Sequence, residues 1–427
     1  MSLVSARSDR SQPLRRLGAL AWRYGTSAIG PVSVSGSHFI ASLIFLHALP
    51  PADFGAFSFL MIVVPFCMSV VGALVGAPIA NALNGLGHLN PDKLAAYRKL
   101  TLLLAGAAFL LVSMLMRFSE GHWDIAVMLG IYGAVMTLRW CARCFAFATE
   151  RALNATLSDL LYSLMLVASL LLLSMTGELF PATAAMVLVA TATASLLAYG
   201  RSYVREQLDS WKTGKLSLYP ETWRDLSRWS LMGVVLTEAT ANAHAYFVTF
   251  ISGTAAFAIL AVGGLMMRPI SLILSALTDR ERPAIARFIA AGDIKGARRT
   301  VIEFSIAGVA MWICTVLLAV TIFIWFPGLQ LEKGYDTAHL LPVVIIWSLI
   351  WAARTLWTPQ TALAQAAGEY SKLAQASMWS SIVALIGTLV LLLTLGPVWS
   401  LLGVLAGDVV VGLRIFAITR AWRRHHG

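Results

Sequence analysis

Residues 261–283 read AVGGLMMRPISLILSALTDRERP. The run is apolar enough to enter a bilayer as a helix, yet Arg268 falls about mid-run and Pro269 follows it at once. A charged side chain at bilayer depth costs from about 3 kcal/mol to more than 10. Proline removes a hydrogen bond from a helix interior and clashes with the turn before it. Both are tolerated where a helix lines a wet cavity inside a bundle, because water or a partner then satisfies the freed groups. The stretch therefore predicts a membrane bundle with a polar interior, not a simple anchor.

The rest of the chain agrees. Of 427 residues, 58% are hydrophobic and 12% charged, with a mean hydropathy of +0.76, far from the balance of a soluble domain. Crossing about 30 Å at 1.5 Å per residue takes roughly 20 apolar residues. Runs of that kind lie at 25–48, 55–80, 100–118, 124–147, 158–176, 181–200, 229–252, 255–278, 301–326, 339–359, 377–395 and 400–418. The predicted fold class is an all-α polytopic membrane protein with about 12 transmembrane helices in two six-helix bundles. Cys67, Cys141, Cys144 and Cys314 all fall inside these runs, which argues against a disulfide framework. The C-x-x-C of Cys141 and Cys144 reads as helix packing, and no metal site is expected.

Lys and Arg crowd alternate loops and both termini, leaving Arg117 and Lys333 on the opposite face. This asymmetry puts both termini in the cytoplasm, and it explains the net charge of +11 without nucleic acid. Residues 1–24 precede an apolar run too long for a signal sequence. They are expected to form a cytoplasmic amphipathic tail. The opposite loops are very short, so no sizeable extramembrane domain is available for chemistry, and the chain is not expected to be an enzyme. Bundles at 25–200 and 229–418 flank an interfacial cytoplasmic linker, 201–228, with Trp211 and Trp223; residues 419–427 form a basic tail.

The halves carry a weak internal repeat. FGAFSFLMIVVPF leads through GALVGAPIA to LNPDKLAAYRKL, and FAILAVGGLMMRPI leads through SALTDRERPAIA to AGDIKGARRT. A mid-span proline, Pro65 or Pro269, precedes a second, Pro78 or Pro283, and then a basic helix. Repeats of this kind place a substrate path at their interface, with Pro65 and Pro269 as candidate hinges.

Twelve spans as six plus six, the turn LPPADFGAFSF after the first span, and MRPISLILSALTDRERPAIARFIAAGDIKGARR after the eighth resemble a known family. This is the polysaccharide-transport branch of the multidrug/oligosaccharidyl-lipid/polysaccharide (MOP) exporter superfamily, the Wzx-type flippases. The resemblance implies a multi-pass protein of the bacterial inner membrane. It would move an undecaprenyl-diphosphate-linked oligosaccharide from the cytoplasmic to the periplasmic leaflet, for exopolysaccharide or O-antigen synthesis, by alternating access to a central cationic cavity. Its partners would be the lipid-linked oligosaccharide, the membrane and other glycan-assembly proteins such as a polysaccharide polymerase.

The charged residues within the spans are the candidate site. Arg268 either binds the diphosphate, for which a planar guanidinium fork is suited, or pairs with Glu238 on the neighbouring span. Arg139 and Arg143, four apart on one helix face, are read as an entry site or as snorkelling to headgroups. Arg354 lies among tryptophans, with Trp351 available to stack on a sugar ring. His38 sits on a polar stripe of the first span. Glu238, Asp408 and His244 are candidates for ion coupling or structural pairing. No cofactor is expected, and coupling to an Na⁺ or H⁺ gradient is left open. The competing function is a cation-coupled drug or metabolite antiporter of the MATE type, which would need carboxylates at depth.

Overall fold

The structure is a computed structural model that describes residues 11–86, 90–149, 151–325 and 337–426. The amphipathic reading of 1–24 rests on side chains outside the described residues. The described elements are helices: α1 (Ser11–Ala48), α2 (Pro51–Val71), α3 (Ala77–Leu86), α4 (Pro91–Glu120), α5 (Trp123–Ala148), α6 (Ala152–Thr176) and α7 (Pro181–Leu196) come first. A connecting stretch holds α8 (Arg201–Thr213) and the short turn α9 (Pro220–Thr222). Then follow α10 (Arg228–Ser252), α11 (Thr254–Met266), α12 (Arg268–Ala290), α13 (Ile294–Trp325), α14 (Thr337–Ala366), α15 (Tyr370–Leu395) and α16 (Pro397–His426).

Local chemistry sets many of the ends. The Asn90 side chain accepts the Asp92 amide at 2.9 Å ahead of Pro91 in the first turn of α4, and Gly121, at φ +75°, ends the helix in the left-handed region, where a side chain would be strained. Lipid-facing positions stay apolar. Leu110, Leu164, Leu172 and Leu393 are all more than half exposed.

Ten described helical segments are long and apolar enough to cross a membrane, eleven when the bent pair α11 and α12 is taken as one. Expected span 229–252 is present as the 25-residue α10, which carries Thr237, Glu238, Thr240, Asn242 and His244 and is not among those eleven. Each of the twelve expected spans thus has a helix in its place, and the chain is an all-α, multi-pass membrane protein.

The helices pack as two lobes with one plan. In the first, α4 lies on α5, α5 on α7, α1 on α6 and α6 on α7; in the second, α13 lies on α14, α14 on α16, α10 on α15 and α15 on α16. Extensive packing between the lobes is confined to α2 against α10 and α11. There Gly55 approaches the Thr254 carbonyl so closely that an added Cβ would overlap it. Phe59, fully buried, meets Tyr246, Phe250 and Phe257 edge-on at 5.3, 5.8 and 6.2 Å between ring centroids. These contacts hold the lobes together at the short-loop end.

The two prolines behave differently. Pro65 lies inside α2, which continues through a π-turn at Gly72–Gly76 into α3 as one span. The chain instead breaks at Met267 (φ −90°, ψ 4°), and α12 restarts with Pro269 in its first turn at 54° to α11. A first-turn proline costs nothing in hydrogen bonds, since the amide it lacks would be unpaired there anyway.

Candidate functional site

A cavity of about 380 Å³ lies between the lobes, walled by α1 and α2 on one side and by α10, α11, α12 and α14 on the other. The break at Met267 creates its cationic corner. Arg268, first residue of α12, projects its exposed side chain into this space beside Ser271. Among the described residues no carboxylate lies within ion-pair distance of Arg268; the Arg268–Glu238 pair left open by the sequence is not formed. The Glu238 carboxylate accepts instead from the Tyr246 hydroxyl (2.8 Å) and from the Asn242 amide (3.0 Å), both on its own helix.

Tryptophans shape the opposite wall. The Trp347 Nε1–H donates to the Leu260 carbonyl at 2.9 Å, clamping α14 onto α11. A Cβ on Gly263 would come within 2.9 Å of that indole, so the close approach requires glycine. His244, 2% exposed, stands edge-on to Trp347 at 5.3 Å, and its Nδ1 has no partner among the described residues. Trp351 also lines the cavity and carries the Arg354 guanidinium 5.2 Å from its ring centre. Arg354 reaches the wall, but its charge is engaged: its Nε donates to Asp408 Oδ2 at 3.0 Å, with Asp408 2% exposed. Asp408 is therefore a structural partner in this arrangement.

On the first lobe, His38 lines the cavity and its Nε2 hydrogen-bonds the Tyr162 hydroxyl at 2.8 Å, which in turn bonds the Tyr132 hydroxyl at 2.9 Å. Arg139 and Arg143, expected as mouth cations, do not line the cavity. Both are held by Asp159: Arg139 Nη2 at 2.6 Å and Arg143 Nε at 3.1 Å, with Arg139 and Asp159 almost fully buried. Arg139 Nε also donates to the Ser158 hydroxyl, and its guanidinium sits 4.5 Å from the Tyr162 ring centre. Asp159 is the residue that sequence reasoning missed. It stands one position inside the expected span 158–176, where a charge reads as a loop residue. The available signal was its place on the helix antiparallel to two arginines four residues apart.

Of the expected residues, then, the fold brings Arg268, Arg354, His38, His244, Trp351 and Pro65 to one cavity. Pro269 adjoins it at the break, Glu238 borders it through Asn242, and Arg139, Arg143 and Asp408 stand behind its walls. Among the described residues there is no group of acidic, His or Cys side chains that could hold a metal ion. Cys141 receives the Thr101 hydroxyl at 3.1 Å, and Cys144 packs against Gly76.

No protein-family model matches the sequence, nor does any curated protein. Solved structures do. An inward-facing multidrug resistance MATE family transporter of the MOP superfamily aligns with a TM-score of 0.69 at 13% identity, over 94% of this chain and 98% of that chain. The outward-facing conformation of a MATE family transporter aligns at 0.62 and 15% identity, over 94% of each chain. A MOP superfamily transporter from Pyrococcus furiosus, described as having a binding pocket of reverse polarity, aligns at 0.61 and 15% identity, again over 94% of each. At such identities the likeness is one of architecture: the chain has the two-lobed fold of the MATE transporters of the MOP superfamily.

Proposed function

We propose that the protein is a transporter that moves an anionic, lipid-linked oligosaccharide across the membrane, with its diphosphate held at Arg268. One observation carries the reading. Arg139, Arg143 and Arg354 are each matched to a carboxylate, whereas Arg268, in the cavity between the lobes, has none within ion-pair distance among the described residues. A guanidinium in that place is a standing site for a phosphate, which it can meet through two parallel hydrogen bonds. The first turn of α12 adds backbone amides beside it, where anions are favoured. Trp351, on the same wall, offers a face for a sugar ring.

The lobes are packed together at the short-loop end through α2, α10 and α11, which favours loading from the opposite side, the one that charge asymmetry assigns to the cytoplasm. The substrate is then an undecaprenyl-diphosphate-linked repeat unit delivered to the periplasmic leaflet of a bacterial inner membrane, and a polysaccharide polymerase is the partner that consumes it. A second reading is a cation-coupled antiporter of the MATE type. It is favoured by Glu238, a carboxylate at the cavity's edge with no cation within ion-pair distance among the described residues.

The test is transfer of a lipid-linked oligosaccharide across proteoliposomes by purified protein and by Arg268→Ala and Arg268→Lys variants. Arg268→Ala abolishes transfer and Arg268→Lys retains part of it. Transfer that persists in Arg268→Ala removes the phosphate assignment. Export of a lipophilic cation, lost in Glu238→Gln and untouched in Arg268→Ala, makes the second reading the right one.

A further inference from the structure

A second cationic space lies away from the cavity. Residues of the α12–α13 turn and the ends of α14 and α16 enclose a crevice of about 500 Å³. Its floor is apolar, made by Ala297, Leu363 and Trp422, all buried. Its rim carries Lys295, Arg298 and Arg423. Arg423 Nη2 donates to the Gln360 side-chain oxygen at 2.6 Å, which fixes the guanidinium, while its Nε is buried with no partner among the described residues. Asp293 is the acid at the rim, and its Oδ1 is engaged by the Gly296 amide at 2.8 Å. No carboxylate among the described residues is within ion-pair distance of Lys295, Arg298 or Arg423. Three cations around one apolar hollow repel each other unless an anion joins them.

The internal repeat supplies a control. In the first lobe the corresponding place, between α4, the end of α5 and the end of α7, is a hollow of only about 50 Å³. Its arginine, Arg98, is paired with a carboxylate: Nη2 meets Glu206 of α8 at 2.6 Å, the guanidinium lies over Phe145 and Tyr203, and Gln207 donates to the Arg98 carbonyl, although the Arg98 Nε, like that of Arg423, is buried with no partner among the described residues. The same corner of the fold is thus sealed by protein in one lobe and left open and cationic in the other.

We infer that the crevice of the second lobe is a binding site for a phosphodiester anion, namely the headgroup of an acidic phospholipid of the adjoining leaflet. Arg298 and Arg423 hold the phosphate, Lys295 adds charge at the rim, and Trp422 and Leu363 contact the glycerol and the first methylenes. The site is independent of the cavity and of what the cavity carries.

Native mass spectrometry and thermal unfolding of the full chain test it, with phosphatidylglycerol, phosphatidylcholine or inorganic phosphate added. The wild type retains phosphatidylglycerol and is stabilised by it over phosphatidylcholine. Arg298→Gln with Arg423→Gln weakens that binding about tenfold or more, as expected for loss of charge-assisted hydrogen bonds. Lys295→Gln, an exposed change that leaves packing alone, weakens it less, and Arg298→Lys with Arg423→Lys recovers part. Equal effects of the two lipids, or unchanged binding in both Gln variants, overturn the site. Stabilisation by inorganic phosphate as strong as by phosphatidylglycerol, and lost in the same variants, overturns the lipid assignment in favour of a free phosphate.

Discussion

The two lobes share a packing plan and differ in how they treat charge. In the first, Arg139 and Arg143 close on Asp159 and are withdrawn from the cavity; in the second, one arginine closes on Asp408 while Arg268 is left open to it. The span that carries the difference is the second of each lobe. Through Pro65 it runs on as one helix, and beyond Met267 it restarts at 54°. A duplicated scaffold can thus keep one half as a neutralised frame and turn the other into a reactive wall. A single backbone break suffices, because it converts a buried mid-helix position into the first turn of a helix facing water.

That contrast can be broken by substitution, starting with the largest effect. Asp159→Ala leaves two arginines without a counter-charge, one of them almost fully buried, and is expected to cost about 3–5 kcal/mol. Thermal unfolding in detergent reads it, and a melting curve like that of the wild type would show that the first lobe is no neutralised frame. Gly55→Ala sets a Cβ into the Thr254 carbonyl and should cost about 1–3 kcal/mol as overpacking. A cysteine placed at Ser58, on the cavity wall, should then react faster with an impermeant maleimide added from the short-loop side; unchanged labelling would mean that the lobes close elsewhere.

Smaller effects sharpen the comparison of the prolines. Pro65→Ala restores one backbone hydrogen bond inside α2 and should stabilise by about 1 kcal/mol, whereas Pro269→Ala, in a first turn, should change little. Equal gains at both positions would argue that the break at Met267 is strained. Arg268→Ala should shift stability by no more than about 0.5 kcal/mol, as for residues outside a network, while removing transport. A large loss of stability would reveal a structural role for the guanidinium.

Much of this was legible beforehand, for identifiable reasons. Apolar runs of about 20 residues and the alternation of Lys and Arg are set by the bilayer itself, so helix number and place could be counted off the chain. The anomaly at Arg268 stood out for a physical reason, since a charge at depth needs water or a partner, and the residue lines the cavity between the lobes. What could not be read was pairing. Asp159 lies 20 residues beyond Arg139, and Asp408 lies 54 beyond Arg354. Which carboxylate reaches which arginine depends on helix rotation, for which twelve apolar helices leave little sequence signal. Pro65 and Pro269 look alike in sequence and differ in outcome, because the break rests on the backbone of Met267 and on the tryptophan that clamps α11 just before it.

The ring of Phe59 has an energetic consequence for any movement of the lobes. It is a side chain of α2 held in a socket built by α10 and α11, so parting the lobes at the short-loop end exposes it. Burial of one such ring is worth about 1.5–3 kcal/mol, with about 0.5–1.5 more for each favourable edge contact. The unloaded molecule is thereby biased toward one arrangement of its halves by a few kcal/mol, enough to keep the opposite one at the per cent level or below. Whatever ligand drives the exchange has to favour the minor arrangement by a comparable difference in affinity. Phe59 sets that threshold.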